Sequence, residues 1–164
     1  MIYKKTSPVG IDKAIQRIQT SLYEYAQSKW LLSEAQILSF GRVYRITGQN
    51  ETLRWYKSGK DYEQFDMLLH DGYALQFFFV VINTVFTTLF ESEASLYVFA
   101  NVATLKPSIT HRADEEVKME LFERFKPSEW FGGISDATDL PGYKSSMDIQ
   151  PYASFKINLN LRYS

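Results

Sequence analysis

The feature of this sequence that most constrains its fold is a run of 19 uncharged residues, from Gly72 to Phe90. A run of this length reaches the lower limit for a helix that spans a bilayer. It contains Gln76, Asn83 and several threonines, however, and its apolar members are mostly Phe and Val, which favour strands. The run therefore predicts two buried strands, joined near Asn83 and Thr84, rather than a membrane span.

The composition of the chain favours one domain with a protein partner. The chain has 164 residues, a formal net charge of −1 and no cysteine. A chain of this length can bury a core without disulfides, and the absence of cysteine excludes thiolate metal sites. The near-neutral charge argues against a protein that binds nucleic acid by neutralising many phosphates. Residues 1–10 contain no apolar stretch typical of signal peptides. We expect a single domain over residues 1–164.

Two amphipathic helices are predicted from apolar residues spaced three and four apart. The first covers residues 11–29, and its apolar stripe consists of Ile11, Ile15, Ile18, Leu22 and Tyr25. The second follows Thr110, a residue type favoured at helix N-caps, and ends at Lys126-Pro127. Its stripe consists of Val117, Leu121 and Phe125.

Most of the remaining chain predicts strands. Residues 40–46 and 52–57 flank turn-forming residues at 48–50 and predict a hairpin. Residues 62–70 predict another strand, which Asp71-Gly72 would join to the following aromatic run in a second hairpin. Residues 95–105 are typical of a strand buried on both faces. Residues 155–163 alternate apolar and polar side chains, which predicts a strand with one buried face.

This order of elements predicts an α+β fold with a mostly antiparallel β-sheet. We expect the N-terminal amphipathic helix and the second helix to pack on one face, and the C-terminal strand to close the sheet. Residues 128–150 contain Gly132-Gly133, Pro141-Gly142 and scattered Asp and Ser, which predicts a long loop. Loops of this length commonly serve as interaction sites.

Side chains suited to catalysis or metal binding are few. The sequence has two histidines, His70 and His111, and it lacks the zinc, serine-nucleophile and phosphate-loop motifs. Three carboxylates in the long loop lack the spacing of a calcium loop: Asp136, Asp139 and Asp148. We expect no catalytic residue, no metal and no cofactor. A small hydrolase or lyase built on Asp66, His70 or the loop acids is the alternative that this pattern favours least.

Two other features indicate surfaces rather than a catalytic site. Residues 114–139 hold eight acidic residues against three basic ones, which fits a solvated helix face, a negative surface that meets a basic partner, or one that DNA passes without binding. The candidates for such a surface are Glu115, Glu116 and Glu120. Aromatic residues form 16% of the chain, and although many belong to the core, Tyr and Trp are enriched in interface centres. The candidate interface residues are Trp130, Phe131, Tyr143, Tyr152 and Arg112.

Three stretches resemble those of a known protein family. They are GIDKAIQRIQ at residues 10–19, LKPSITHRADEE at residues 105–116, and MDIQPY at residues 147–152, followed by the alternating strand. With the order of elements, they resemble the neck proteins of tailed bacteriophages. More narrowly, they are similar to the small ring proteins of the head–tail region in crAss-like phages, which are similar in fold to tail-terminator and tail-completion proteins.

The resemblance implies a tail-terminator-like fold and a non-enzymatic structural protein of the virion, assembled in the host bacterial cytoplasm. Such a subunit would form a homo-oligomeric ring, six- or twelve-fold, through heterologous contacts. It would contact neighbouring portal, connector or tail proteins, and double-stranded DNA would pass without specific binding. The family brings no catalytic residue, cofactor or membrane contact. The alternative is a monomeric or dimeric assembly module that binds a protein or peptide through the long loop.

Overall fold

The computed structural model describes residues 1–46, 52–57, 60–67, 72–139 and 149–164. These residues form an α+β fold, as expected. The α-helices are α1 (Ile11–Lys29), α2 (Val102–Leu105) and α3 (Asp114–Phe125). The strands are β1 (Ile37–Ile46), β2 (Thr52–Lys57), β3 (Lys60–Met67), β4 (Leu75–Phe86), β5 (Phe90–Asn101), β6 (Phe131–Asp136) and β7 (Tyr152–Tyr163).

The seven strands form one mixed sheet in the order β3-β2-β1-β4-β5-β7-β6. Five neighbouring pairs are antiparallel, and β1 pairs with β4 in parallel. The β1–β2 pairing confirms the first predicted hairpin, whose turn residues lie outside the described part of the chain. The C-terminal strand does not lie at an edge, because β7 is inserted between β5 and β6.

Two expectations about strand connections are wrong. Strands β3 and β4 are separated by β2 and β1, so they do not form the second hairpin. Strand β4 continues through Asn83 and Thr84, and its turn to β5 lies at residues 87–89. The sequence Thr87-Thr88-Leu89 lacks the Gly, Pro, Asn and Asp residues that usually mark a turn, so composition does not indicate the turn at its actual position.

Three element boundaries also differ from expectation. The strand predicted at residues 95–105 ends at Asn101, whose side chain accepts a hydrogen bond from the Thr104 backbone N–H (3.2 Å) and starts the short helix α2. Helix α3 begins at Asp114 with Ala113 as its N-cap, so Thr110 does not cap it. The loop predicted at residues 128–150 contains strand β6.

The glycine pair Gly132-Gly133, which indicated a loop, instead forms an irregularity within β6. The register between β6 and β7 shifts across this pair. A Cβ atom at Gly132 would lie 3.0 Å from the backbone oxygen of Asn158, and Gly133 has a φ of +116°. Glycine meets both requirements at such a bulge, where one backbone lies close to another and left-handed φ values occur.

Hydrophobic clusters lie on both faces of the sheet. Helices α1 and α3 contribute to the larger cluster, which includes Leu22, Leu121, Phe77, Leu96 and Phe155. The opposite face carries a smaller, aromatic-rich cluster that includes Phe40, Phe78, Tyr97 and Phe99. Burial of neighbouring residues in β5 confirms the strand predicted to be buried on both faces. Within the described ranges, no helix is long and apolar enough to span a membrane.

Candidate functional site

Strands β4, β5 and β7 continue beyond the strands that flank them. Strand β1 pairs with β4 only as far as Val80, whereas β5 follows β4 to the Phe86–Phe90 pair. Strand β7 follows β5 to Tyr163, whereas the strand pairing of β6 with β7 reaches only Leu159. Residues 82–93 and 160–163 therefore form a three-stranded extension of the sheet, which we call the extension.

The tip of the extension exposes large apolar side chains. Phe86, at the tip, is 68% exposed, and Ile82, where the extension begins, is 61% exposed. Val85, Leu89 and Phe90 are exposed to between 39% and 48%. Residues 72–90 carry no charge that would favour this exposure to water. A cluster of exposed apolar side chains of this kind marks an interaction surface.

Side-chain contacts hold the three strands of the extension together. The hydroxyl groups of Thr84 and Ser92 lie 2.9 Å apart, and that of Ser92 lies 2.8 Å from the Tyr163 hydroxyl. The Phe90 ring stacks on the Tyr163 ring at 5.6 Å and meets the Phe86 ring edge-on at 4.8 Å. These side-chain contacts link β4, β5 and β7 and hold the three strands of the extension together below the apolar tip.

A groove of about 900 Å³ lies beside the extension. Its lining crosses the extension from Asn83 and Val85 of β4 to Leu161 and Arg162 of β7, and it also includes Ala14, Ile18 and Trp130. Charged side chains also line the groove, and one pair among them is made by Arg162 Nε and Glu91 Oε1, 3.3 Å apart. The groove thus offers both apolar contact and charged groups near the end of β7.

The structure places two of the predicted interface residues against the helix-covered face. The Trp130 ring lies 5.3 Å from the Phe125 ring, and the Phe131 ring meets the Phe122 ring edge-on at 5.8 Å. Both residues are partly buried against the larger cluster. Trp130 also lines the groove, whereas Phe131 is not among the residues that line it.

The other predicted interface residues lie elsewhere. Tyr152 stacks on Phe99 at 4.9 Å in the cluster on the opposite face of the sheet. Arg112 is exposed, and its guanidinium lies 3.6 Å from the Asp114 carboxylate. Tyr143 lies outside the described residues. The predicted aromatic set is therefore not gathered into one surface, and its role at an interface stays a prediction.

Of the three acidic candidates, Glu120 lies between the helices. Its carboxylate accepts a hydrogen bond from Trp30 Nε1 (3.1 Å) and lies 2.5 Å from Lys106 Nζ. Lys29 Nζ lies 3.8 Å away, and the Glu120 side chain is only 17% exposed. Its negative charge is therefore largely balanced within the molecule.

Glu116 and Glu115 lie nearer the solvent. His111 Nε2 donates a hydrogen bond to Glu116 Oε1 (2.9 Å), and this bond lowers the pKa of the Glu116 carboxyl. Glu115 is 72% exposed and lies 2.6 Å from Lys118 Nζ, and this contact raises the pKa of the Lys118 ammonium. Each of the three acids is paired with a basic side chain, and the prediction that they line a channel stays a prediction.

Candidates for catalysis or metal binding are not gathered into a site in the part of the chain that the structure describes. There, no group of three or more His, Cys, Asp or Glu side chains is placed to hold a metal ion. Asp136 pairs with Lys118 at 3.2 Å, and Asp139 accepts a hydrogen bond from the Tyr97 hydroxyl (2.9 Å). His70 and Asp148 lie outside the described residues, so the pairing of Asp66 with His70 is untested.

The sequence reasoning missed the exposed half of the uncharged run. That run was expected to form two buried strands, but burial ends near Val80, and residues 85–90 are exposed. The available signal was the group of polar residues Asn83, Thr84, Thr87 and Thr88 in the second half of the run, because polar side chains are mostly exposed in folded proteins. No protein-family model matches the chain, and the search of curated proteins finds no match.

Proposed function

We propose that this chain is a non-enzymatic structural protein of a tailed-phage virion. It forms a ring in the head–tail connector or the tail and joins neighbouring layers around the DNA channel. The proposed class of protein rests on a resemblance to the neck ring proteins of crAss-like phages. Three stretches carry this resemblance: residues 10–19, 105–116 and 147–152. In this proposal the mixed sheet, with α1 and α3 on one face, is a tail-terminator-like fold.

The exposed apolar tip of the extension is the observation that carries the proposal. Monomeric proteins rarely leave large apolar side chains that lie together, such as Phe86, Leu89 and Phe90, uncovered. A ring subunit needs two different surfaces, one for each neighbour, because its contacts are heterologous. Phe86 and Leu89 at the tip do not line the groove, so the tip and the β7 side of the groove are two such surfaces on one chain.

The mass of the protein in solution tests the proposal. Light scattering on the purified protein, with negative-stain images of the same sample, is expected to show closed rings of about six or twelve subunits, since heterologous contacts close by rotation. The same measurement is repeated with the neighbouring portal and tail proteins present, because some rings close only on a template. A protein that stays monomeric in both experiments contradicts the proposal and favours the monomeric binding module.

The acidic surface of α3 would face the DNA in this proposal. Glu115 is its most exposed member, and a mildly negative lining lets DNA slide because it repels phosphate. Virions with both Glu115→Lys and Glu116→Lys are expected to deliver DNA less efficiently than virions with the control change Glu24→Lys, at an exposed position on α1 that does not line the groove. Unchanged DNA delivery would rule out a lining role for these residues.

A further inference from the structure

Two strand edges of the extension have no described strand beside them. On β4, residues 83–86 pair with β5 on one side, while β1 pairs with β4 only up to Val80. On β7, residues 161–163 pair with β5 on one side, and the Asn160 N–H donates to the Trp130 carbonyl (2.8 Å) where the neighbouring segment ends. Such edges present N–H and C=O groups that can template another strand.

The free edge of β4 has little to prevent strand pairing. A bulge lies at its start, between Val81 and Asn83, and the pairing with β5 is regular from Asn83 to Phe86. This part contains no charged residue and no proline, the residues that commonly block edge pairing. Val85 and Phe86 are exposed there, so an added strand would also cover apolar surface.

We propose that the β4 edge of one subunit pairs with the β7 edge of a second copy of this chain. The sheets of neighbouring subunits would then continue into each other through their extensions. This inference rests on the proposed ring-forming function and identifies the two surfaces that make the ring contact.

The positions of the two edges favour a second copy as the occupant. Val85, Glu91 and Arg162 stand opposite one another across the three strands, so the free edges lie level at the same end of the sheet. A lipid bilayer is a poor occupant, because hydrocarbon cannot satisfy the N–H and C=O groups of an open edge. Glu91 and Glu93, next to the tip, are also unfavourable near anionic headgroups.

The groove gives an incoming strand space beside β7. Its volume is about 900 Å³, and it reaches from Val85 of β4 to Arg162 of β7, where Ala14, Ile18 and Trp130 offer apolar contacts to the side chains of an added strand. The charged residues of its lining nearly balance, with two basic and three acidic side chains: Arg17, Arg162, Glu91, Glu93 and Glu129. An uncharged strand adds no charge to this nearly balanced lining.

The strand directions specify the geometry of the contact. Strands β4 and β7 are both antiparallel to β5, so they run in the same direction. A ring rotation about an axis roughly along the strands preserves this direction and places β7 parallel to the β4 of the next subunit. A two-fold dimer would instead pair two identical edges in antiparallel orientation.

Disulfide cross-linking tests the contact in a chain that has no cysteine of its own. The test variant carries Val85→Cys and Arg162→Cys. Within one subunit β5 separates these positions by two strand spacings, about 9–10 Å, which is beyond the Cα separation that a disulfide spans. Any disulfide between the two positions must therefore join two subunits.

Under oxidation, the test variant is expected to form a ladder of covalent multimers. The control carries Val85→Cys and Ser108→Cys, because Ser108 is exposed between α2 and α3. The cross-linked fraction of the test variant should exceed that of the control at least about tenfold, since a disulfide forms only at short Cα separations. Asn160→Cys and Ser164→Cys replace Arg162→Cys in parallel experiments, so that the register is covered.

Absence of a ladder with all three β7 positions would overturn the inference. Efficient covalent dimers from Val85→Cys alone would also overturn it, because two β4 edges would then be in contact. If the native protein still forms rings in either case, the proposed function survives without this contact. Conversely, a ladder from a protein that assembles only into open filaments supports the edge pairing and contradicts the ring.

A second variant tests the same edge without cysteine. Val85→Lys places a charge on the free edge and is expected to abolish assembly, whereas Met119→Lys, at a 62% exposed position on α3, should assemble like the native protein. Normal assembly of Val85→Lys overturns the inference. Co-sedimentation with vesicles of phosphatidylcholine and phosphatidylglycerol that is lost in Val85→Lys would assign the edge to lipid and also overturn it.

Discussion

Glu120 of α3 contacts both the C-terminal part of α1 and the residue that follows α2. Its carboxylate contacts Lys106 after α2 and Trp30 at the end of α1, and its backbone carbonyl accepts a hydrogen bond from the Tyr25 hydroxyl (3.4 Å). If the carboxylate is removed, a largely buried ammonium and an indole N–H lose their acceptor. This residue therefore holds the helices together over the sheet.

Glu120→Ala is expected to lower the free energy of unfolding by about 1–3 kcal/mol, the usual cost of leaving buried donors without a partner. Glu115→Ala is the matched control on the same helix, and it should change stability little because its ion pair is exposed to solvent. Urea denaturation of both variants measures the difference. Equal effects from the two substitutions would show that Glu120 does not hold the helices together.

The pair formed by His111 and Glu116 makes stability depend on pH. The hydrogen bond from His111 lowers the pKa of Glu116 below its ordinary value of 4.5. The folded state then binds this proton less readily than the unfolded state, so the pair stabilises the fold above that value, and the stabilisation is lost as the pH falls through the lowered pKa. In His111→Ala, NMR titration of the Glu116 carboxyl carbon should show a higher midpoint. An unchanged midpoint would contradict this cause.

At the scale of elements, hydrophobic periodicity correctly predicted the helix and the strand that each bury one face, α1 and β7. Helix α1 has the bounds given by its apolar stripe, since Ile15, Ile18 and Leu22 all face the core. Strand β7 alternates as expected because one of its faces packs beneath the helices. Strand β6 was not predicted, because the bulge at its two glycines has meaning only against a partner strand more than 20 residues away in sequence.

The candidate site was hidden from the sequence for a related reason. An apolar side chain in β4 is buried or exposed according to where the neighbouring strand stops, and the pairing of β1 with β4 ends at Val80, while β1 stays paired with β2 as far as Ile46. The local sequence of β4 does not show where its pairing with β1 ends. The uncharged run marked the correct segment, but it could not show that half of the segment faces solvent.

Gly132→Ala is expected to destabilise the protein by about 1–2 kcal/mol, because its Cβ would press on the Asn158 carbonyl of β7 and the strands would have to separate. Gly72→Ala is the control, since a Cβ there meets no atom within 4 Å. Thermal unfolding of the two variants measures the effect. A Gly132→Ala protein as stable as the native one would mean that β6 and β7 are not packed this closely.

At the scale of the whole molecule, the proposed assembly depends on backbone pairing and apolar contact. Such contacts resist salt, whereas surface charge pairs are screened within about 3 Å at 1 M ionic strength. The ring is therefore expected to keep its mass by light scattering at about 1 M sodium chloride, a concentration at which charge-driven contacts are screened. Dissociation into monomers at this salt concentration would show that charge pairs hold the subunits together.

The position of β7 inside the sheet has a consequence for how the chain acquires its structure during synthesis. Strand β5 pairs with β7 along its full length, and β6 has β7 as its strand neighbour in the sheet. Until residues 152–163 have left the ribosome, one edge of β5 and all of β6 lack their partner. Hydrophobic residues such as Leu96 and Val98 then depend on a segment not yet made. The nascent chain must therefore complete its central sheet after translation of β7, which makes chaperone protection most valuable just before that point.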